Sequence, residues 1–311
     1  MSRPVRIPRV HNRDLHGILL LDKPLGLSSN KALQAVRSLL RASKGGHTGA
    51  LDPLATGLLP LCFGEATKLA GNLLGSRKAY IAECRLGVTT DTADKEGEIL
   101  LERPVPLLDE AAIEAVLVKL RGRILQVPPV YSALKQDGER LYVKARRGDA
   151  VDVPPREVDV YRLELLSRTA DTLTLHIECG SGTYVRSLAV DIGEALGCGA
   201  HVTALRRLWV EPFIEPEMVS MDALQQAAEK GDEVLLKSLL PVSAGLCDLP
   251  TVHLDDAQSM AISRGQKIQL QPAPRPGQCS AYASDGALLA LLEVDSEGFT
   301  RIVRGFNLPP D

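Results

Sequence analysis

The chain has 311 residues, 45% hydrophobic and 24% charged, enough apolar material for a sizeable core and for two domains as a starting expectation. It contains no run of about 18 apolar residues, which excludes a membrane-spanning helix, and its basic, Pro-containing start reads as a flexible arm (residues 1–16) rather than a secretory signal. A net charge of −3 argues by itself against a nucleic-acid partner, yet basic residues gather in residues 1–50 and again at Lys135, Arg140, Lys144, Arg146 and Arg147, a local footprint for an anionic ligand on a mildly acidic body.

GILLL at 17–21, followed by DKPLG, predicts a strand and a turn. Ser28 or Ser29 then caps a helix on which Ala32, Leu33, Val36, Leu39 and Leu40 recur at helical spacing. LLPLCF at 58–63 predicts a buried strand, EATKLAGNLL a short helix ending near Gly75, AYIAECRLG an alternating strand, and DTADKEGE a polar turn. Asp109 caps a helix, EAAIEAVLVKLRG, closed by Gly122. The basic stretch 126–157, bracketed by proline pairs, predicts an extended loop or insertion of a length that is usually functional. VDVYRLELLSRTADTLTLHIECG predicts two strands around a turn, and Thr183 caps YVRSLAVDIGEAL, with Gly197 as its stop. After the helix MDALQQAAEKG, LPVSAGLCDLP has the composition of a linker. Residues 251–311 then predict one short helix and the strands KIQLQ, CSAYAS, LLALLEV and TRIVRGF, a small β-rich domain.

The six cysteines form no C-x-x-C pair and most sit among apolar neighbours, so they read as buried thiols of a reducing compartment; the six histidines show no metal-ligand spacing. One segment is unusual: GGHTGALDPLATGLLPLCFG places a single carboxylate, Asp52, in a Gly-rich apolar run. Two readings are open. Asp52 caps a helical turn that starts at Pro53 and ends at Gly57. Alternatively, Pro53 holds Asp52 extended, as a nucleophile or base that the glycines let a bulky ligand approach.

GGHTGALDPLATGLLPLCFGEATKLA resembles the signature of the TruB family of tRNA pseudouridine synthases. The resemblance extends to GILLLDKPLGLSSNKALQAVR before it and SRKAYIAECRLGVTTDTADKEGE, PPVYSALKQDGERLYVKARRG and CGSGTYVRSLAVDIGEALGCGAHVTALRRLWV after it. It implies an α/β (α+β) fold: a pseudouridine synthase domain over 17–245, with a central mixed, largely antiparallel sheet flanked by helices, and a PUA-like β-barrel over 250–311. It implies isomerisation of uridine 55 in the T-loop of tRNA, by a cytoplasmic monomer without cofactor, metal or obligate protein partner.

Residue by residue, it implies Asp52 as the catalytic carboxylate and Tyr80 as the stacking partner of a flipped uracil and an aid to proton removal. Tyr184 and Leu205 become pocket residues, and Arg186 the cation that keeps Asp52 ionised. His47 helps hold the T-loop. Lys23 and the insertion at 128–157, with Lys135, Arg140, Lys144, Arg146 and Arg147, contact the RNA backbone of the T-arm. Two departures stand out. Leu27-Ser28-Ser29 lacks a threonine before the serine, and the C-terminal residues are acidic on balance, which weakens the case for RNA binding there. A tRNA-folding chaperone and a guide-RNA-dependent ribosomal-RNA subunit are the alternatives; the second carries long basic extensions, and the tail here is short.

Overall fold

The computed structural model describes residues 12–74, 77–132, 134–136, 138–147, 149 and 153–308, so the basic arm is outside the described residues up to residue 11. Strand β1 (Gly17–Lys23) shows why GILLL lacks the alternation of a half-exposed strand. Ile18 and Leu20 pack to one side of the sheet, Leu19 and Leu21 to the other, and all four are buried. Helix α1 (Ser29–Leu40) buries Ala32, Leu33, Val36 and Leu40, and Ser28 caps it by accepting from the Lys31 N–H. Ser29 has a separate task. Its hydroxyl donates to the Leu51 carbonyl at 3.0 Å and accepts from the Leu51 N–H at 2.7 Å, tying the helix to the loop before Asp52.

Strands β2 (Gly45–His47) and β3 (Ala55–Phe63) flank that loop. EATKLAGNLL divides into a 3₁₀ turn and the short α2 (Ala70–Leu74), and Gly75 lies outside the described residues. Strand β4 (Lys78–Leu86) follows, and DTADKEGE joins β5 (Val88–Thr90) to β6 (Ile99–Glu102). Helix α3 (Glu110–Leu117) is capped by Asp109, and Gly122 opens β7 (Gly122–Gln126). The basic insertion is not a plain extended loop: it forms a hairpin of β8 (Lys135–Gln136) and β9 (Glu139–Arg140) and the helix α4 (Leu141–Arg146). Strands β10 (Arg156–Arg168) and β11 (Thr172–Cys179) are the predicted pair.

Helix α5 (Val185–Ala195) gives way at Gly197, φ +83°. Thr183 does not cap it. Tyr184 holds the cap position without a side-chain bond, and the buried Gln126 amide accepts from the Tyr184 N–H at 2.8 Å and donates to its carbonyl at 3.2 Å. Strand β12 (Ala200–Val210), the short β13 (Val219–Ser220) and helices α6 (Met221–Lys230) and α7 (Asp232–Leu236) complete this part.

The strand order is β13-β1-β3-β12-β4-β11-β10-β7, with β2 also on β3. Among the described strands of this sheet, β1–β13 and β3–β12 are the pairs that run parallel. Helices α1, α5 and α6 contribute to the core on the Leu19 side. Gly57 has φ +95° and lies between Lys23 of β1 and Arg207 of β12. A Cβ there would stand 2.1 Å from the Arg207 carbonyl oxygen. This glycine therefore makes room for the neighbouring strand. Gly57→Ala is expected to lose about 2–3 kcal/mol, the upper end of what strain in a disfavoured φ region costs. A urea midpoint lowered at unchanged slope checks it.

LPVSAGLCDLP is not a solvated linker. Its 3₁₀ turn buries Val242 and Leu246 against Ile18, Leu58 and Leu69. Beyond it, β14 (Thr251–His253), helix α8 (Asp256–Ser263), β15 (Gly277–Tyr282), β16 (Leu288–Val294) and β17 (Thr300–Gly305) form a four-stranded sheet, β14-β15-β16-β17. KIQLQ contributes a single bridge, Gln269 to Phe299, rather than a strand. Leu288, Leu291 and Phe306 share a core with Ile18 and Leu20, so the C-terminal sheet is fused to the Ile18 side of the central one. Glu65 adds a polar tie: its carboxylate accepts from Lys68 and from the Asn307 N–H, and Lys68 also donates to the Gly305 carbonyl. Among the described residues no helix is long and apolar enough to cross a membrane.

Candidate active site

Asp52 caps no helix. Its carbonyl accepts from the Ala55 N–H at 3.0 Å, closing a tight turn with Pro53 at its second position that feeds straight into β3. The turn is anchored on both sides, by the Ser29–Leu51 bonds and by the Gly26 N–H, which donates to the Pro53 carbonyl at 2.8 Å. With its backbone so held, the carboxylate points to the mouth of α5, where Arg186 Nε stands 2.9 Å from Asp52 Oδ2.

Arg186 joins three segments. Its Nη1 lies 3.4 Å from Asp94 Oδ2 and donates to the Thr92 carbonyl at 2.8 Å; its Nη2 donates to the Tyr131 carbonyl at 3.0 Å. The side chains of Arg186 and Asp94 are each only 5% exposed. A cation in the first turn of a helix faces an unfavourable dipole, and two carboxylates here offset it. Asp94 is the residue that the sequence reading missed. It lies in DTADKEGE, where it reads as one more acid of a polar turn, although Thr92 Oγ1 and the Glu96 N–H both donate to its Oδ1 and fix it in place.

Asp52, Arg186, Tyr80, Tyr184 and Leu205 line one cleft of about 570 Å³. Tyr80 comes from β4 and Leu205 from β12, adjacent strands at the middle of the sheet. Arg156 lies over the Tyr184 ring, 5.3 Å from its centre. Two further cleft residues come from the same strands: Lys78 on β4 and Arg207 on β12. Arg207 is fully buried and donates to the Leu58 and Gly49 carbonyls at 2.7 and 3.2 Å. The buried Ser132 hydroxyl, also on the cleft wall, has no hydrogen-bond partner among the described residues.

Desolvation in the cleft is the largest influence on Asp52 and pushes its carboxyl above the usual range, although the side chain is 41% exposed at the cleft mouth; Arg186 acts in the expected direction and pulls it back, Asp94 adds to the rise, and Lys23 opposes it. Burial also raises the Tyr80 phenol, despite the opposing Arg207, so the ring is neutral at pH 7. That favours stacking over action as a phenolate base.

Other predicted residues fall elsewhere. Lys23 cannot meet an RNA phosphate where it stands: it is fully buried, and its Nζ donates to the Pro24 and Leu27 carbonyls at 2.9 and 2.6 Å. Burial lowers its ammonium to about 8, against the pull of nearby Asp52, which makes it a buried cation behind the carboxylate. His47 stands on β2 outside the cleft lining, and burial lowers its imidazole, keeping it neutral at pH 7. In the insertion, Lys135 and Arg140 belong to the hairpin, and Lys144 and Arg146 to α4. Arg147 is exposed but engaged, with both Nη atoms on Glu139 at 2.8 Å and further bonds to Asp149.

Residues 37–185 match a model of the TruB family pseudouridylate synthase N-terminal domain, and residues 186–246 match the tRNA pseudouridylate synthase B C-terminal domain. The chain is 57% identical over 300 residues to a tRNA pseudouridine synthase B of Xanthomonas campestris pv. campestris (strain B100), covering 96% of this chain and 97% of that one. To the protein of that name from Pseudomonas fluorescens (strain Pf0-1) it is 50% identical over 287 residues, covering 92% and 94%. Among solved structures, a chain of a Cbf5-Nop10-Gar1 complex is similar at a TM-score of 0.72 and 26% identity, over 94% of this chain and 84% of that one.

Proposed function

This chain belongs to the TruB family of pseudouridylate synthases and isomerises uridine in tRNA to pseudouridine, and from that premise we propose that the target is uridine 55 of the T-loop and that the Asp52 cleft performs the reaction. The N1–C1′ bond of the uridine breaks, the uracil turns, a C5–C1′ bond forms, the C5 proton leaves and N1 gains a proton. The change is redox-neutral, so one carboxylate and a shaped pocket suffice. A uridine stacked in the T-loop cannot reach Asp52, so it must be extruded, at roughly a few kcal/mol, recovered by stacking in the cleft. Tyr80 offers that stacking surface, and Leu205 and Tyr184 complete an apolar enclosure. As nucleophile or base, Asp52 must be ionised, and Arg186 supports the charge against the cost of burial.

The observation that carries this reading is the buried Arg186, ion-paired with Asp52 and bonded to the segment holding Asp94. A purely RNA-binding surface has no use for a buried arginine that holds an accessible carboxylate at the mouth of a cleft. The relatives at 50–57% identity are named as tRNA enzymes, whereas the Cbf5 chain stands at 26%, which favours a tRNA substrate over ribosomal RNA. In this reading the enzyme acts as a monomer, without an obligate protein partner, in the cytoplasm. The exposed arginine of the insertion adds salt-sensitive affinity for the T-arm once its carboxylate partners yield it. The test is an unmodified tRNA transcript tritiated at uracil C5. Wild-type protein should release tritium from one T-arm uridine; tight binding without release would support a chaperone instead.

Tyr80→Phe separates the two roles of the tyrosine. With the phenol held neutral, the substitution is expected to keep tRNA binding and lower turnover by less than about tenfold, whereas Tyr80→Ala loses a stacking contact worth about 1–3 kcal/mol per base. Single-turnover rates on the same transcript check it.

A further inference from the structure

The cleft holds a buried hydroxyl with no part in the chemistry of Asp52. Among the described residues, the buried hydroxyls without a hydrogen-bond partner belong to Thr48, Ser132 and Ser259, and of these Ser132 lines the cleft. Ser132 is 5% exposed. A buried hydroxyl left unpaired costs stability, because the water it gave up is not replaced. On the wall of a cleft such a group is accounted for if its partner arrives with the substrate.

The backbone that carries this hydroxyl is tied down on both sides. Ser187 Oγ donates to the Val127 carbonyl at 2.8 Å, and Arg186 Nη2 donates to the Tyr131 carbonyl at 3.0 Å. The Ser132 N–H donates to the Val130 carbonyl at 3.0 Å, and the Leu134 carbonyl accepts from the Leu141 N–H at 2.8 Å. Two of these ties come from consecutive residues of α5, so the helix that carries Arg186 to Asp52 also sets the position of Ser132.

The same ties place the hydroxyl along the cleft. Tyr131 and Ser132 are consecutive, with Cα atoms about 3.8 Å apart. The guanidinium that holds the Tyr131 carbonyl has its Nε 2.9 Å from Asp52 Oδ2. Ser132 therefore belongs to the Asp52 end of the cleft. With the flipped uracil on Tyr80, the N1–C1′ bond that breaks must lie within reach of Asp52, which puts the ribose at that end. The 2′-hydroxyl stands on the carbon next to C1′. A serine hydroxyl and a 2′-hydroxyl can each donate and accept, so the pair needs no fixed orientation. The 2′-hydroxyl is also the group by which a protein tells RNA from DNA.

We infer that Ser132 is a substrate-positioning residue: its hydroxyl pairs with the ribose 2′-hydroxyl of the target uridine, which holds the sugar over Asp52 and selects a ribonucleotide. The inference rests on the catalytic reading of the cleft.

A T-arm stem-loop tritiated at C5 provides the test, made with uridine or with 2′-deoxyuridine at the target position and assayed with wild type and Ser132→Ala. On the uridine stem-loop Ser132→Ala is expected to lower kcat/KM by roughly 3- to 10-fold, the scale of one neutral hydrogen bond. On the deoxyuridine stem-loop the two proteins should agree within about twofold, because the pair is already broken in both. Comparing the proteins on one stem-loop cancels whatever the missing 2′-hydroxyl does to the chemistry itself. If wild type releases no tritium from the deoxyuridine stem-loop, the same four-way comparison is made on dissociation constants with Asp52→Asn in both proteins. The urea midpoint separates this role from a structural one. Ser132→Ala removes a hydroxyl that is unpaired in the free protein, so its midpoint should be unchanged or higher. Equal losses on both stem-loops, no loss on either, or a lowered midpoint would overturn the inference. A Ser132→Ala protein that fails to fold has the same meaning, since the hydroxyl would then serve the fold. Failure of the wild type on the uridine stem-loop would instead remove the catalytic reading, and this inference with it.

Discussion

Asp52→Asn is expected to abolish tritium release, a fall of at least about 10⁴-fold, the upper end of what one positioned acid–base group contributes, with tRNA affinity changed by less than about threefold, small beside the range that single interface substitutions span. The substitution keeps the shape of the side chain, and the turn through Pro53 does not depend on the carboxylate, since its closing bond runs from the Ala55 N–H to the Asp52 carbonyl. Arg186 retains Asp94 and its two carbonyl acceptors, so the pocket stays assembled. What disappears is the negative charge that the proposed reaction requires of Asp52. A filter-binding curve and a single-turnover time course on the same preparation separate the two effects. Residual release within tenfold of wild type would remove Asp52 from the chemistry.

The working pH range follows from the same carboxyl. Its pKa is raised by burial, and the ionised form exists above that value, so activity falls as pH drops through it. The acid limb of the single-turnover rate should therefore lie above the ordinary carboxylate range.

How far the sequence alone reaches depends on the range of the signal. The apolar run of β1, the amphipathic spacing of α1 and the Asp109 cap are local patterns, and each appears in the structure where the spacing places it. LDPLATG misleads because a helix cap and a turn into a strand share the same residue preferences. What separates them is β12 lying against Gly57, a contact with residues far along the chain. LPVSAGLCDLP has the composition of a linker, yet Val242 and Leu246 are covered by β1, whose second buried face no local pattern could disclose. Asp94 was illegible for a related reason, since its partner Arg186 is brought near only by the fold. A signal did exist: an arginine in the first turn of a helix asks for a counter-charge, and the Thr92–Asp94 spacing suits an acid held by its own turn. Lys23 reads as a surface cation because lysine is seldom fully buried; here two main-chain carbonyls and the Asp52 charge accommodate it.

Substitution of Arg186 should show that this residue both builds the site and tunes it. Arg186→Met leaves Asp94, 5% exposed, without its cation, and breaking a buried pair in this way costs about 3–5 kcal/mol. It also frees the Thr92 and Tyr131 carbonyls, which the guanidinium now ties together. Both influences by which Arg186 lowers the Asp52 pKa are lost while burial and Asp94 remain, so the acid limb moves to higher pH. Adding Asp94→Asn removes the stranded charge, and the double variant is expected to recover part of the lost stability but little activity, a non-additive result for residues in one network. Arg186→Lys is the sharper probe. It keeps the charge but cannot reach Asp52, Asp94 and both carbonyls at once, because an ammonium lacks the forked geometry of a guanidinium. Its urea midpoint should fall less than that of Arg186→Met, while its single-turnover rate drops by roughly 10²-fold or more, the scale on which misplacing a reacting group acts. If Arg186→Lys keeps the wild-type rate, charge alone is enough. If it is as unstable as Arg186→Met, the fork serves the fold more than the chemistry.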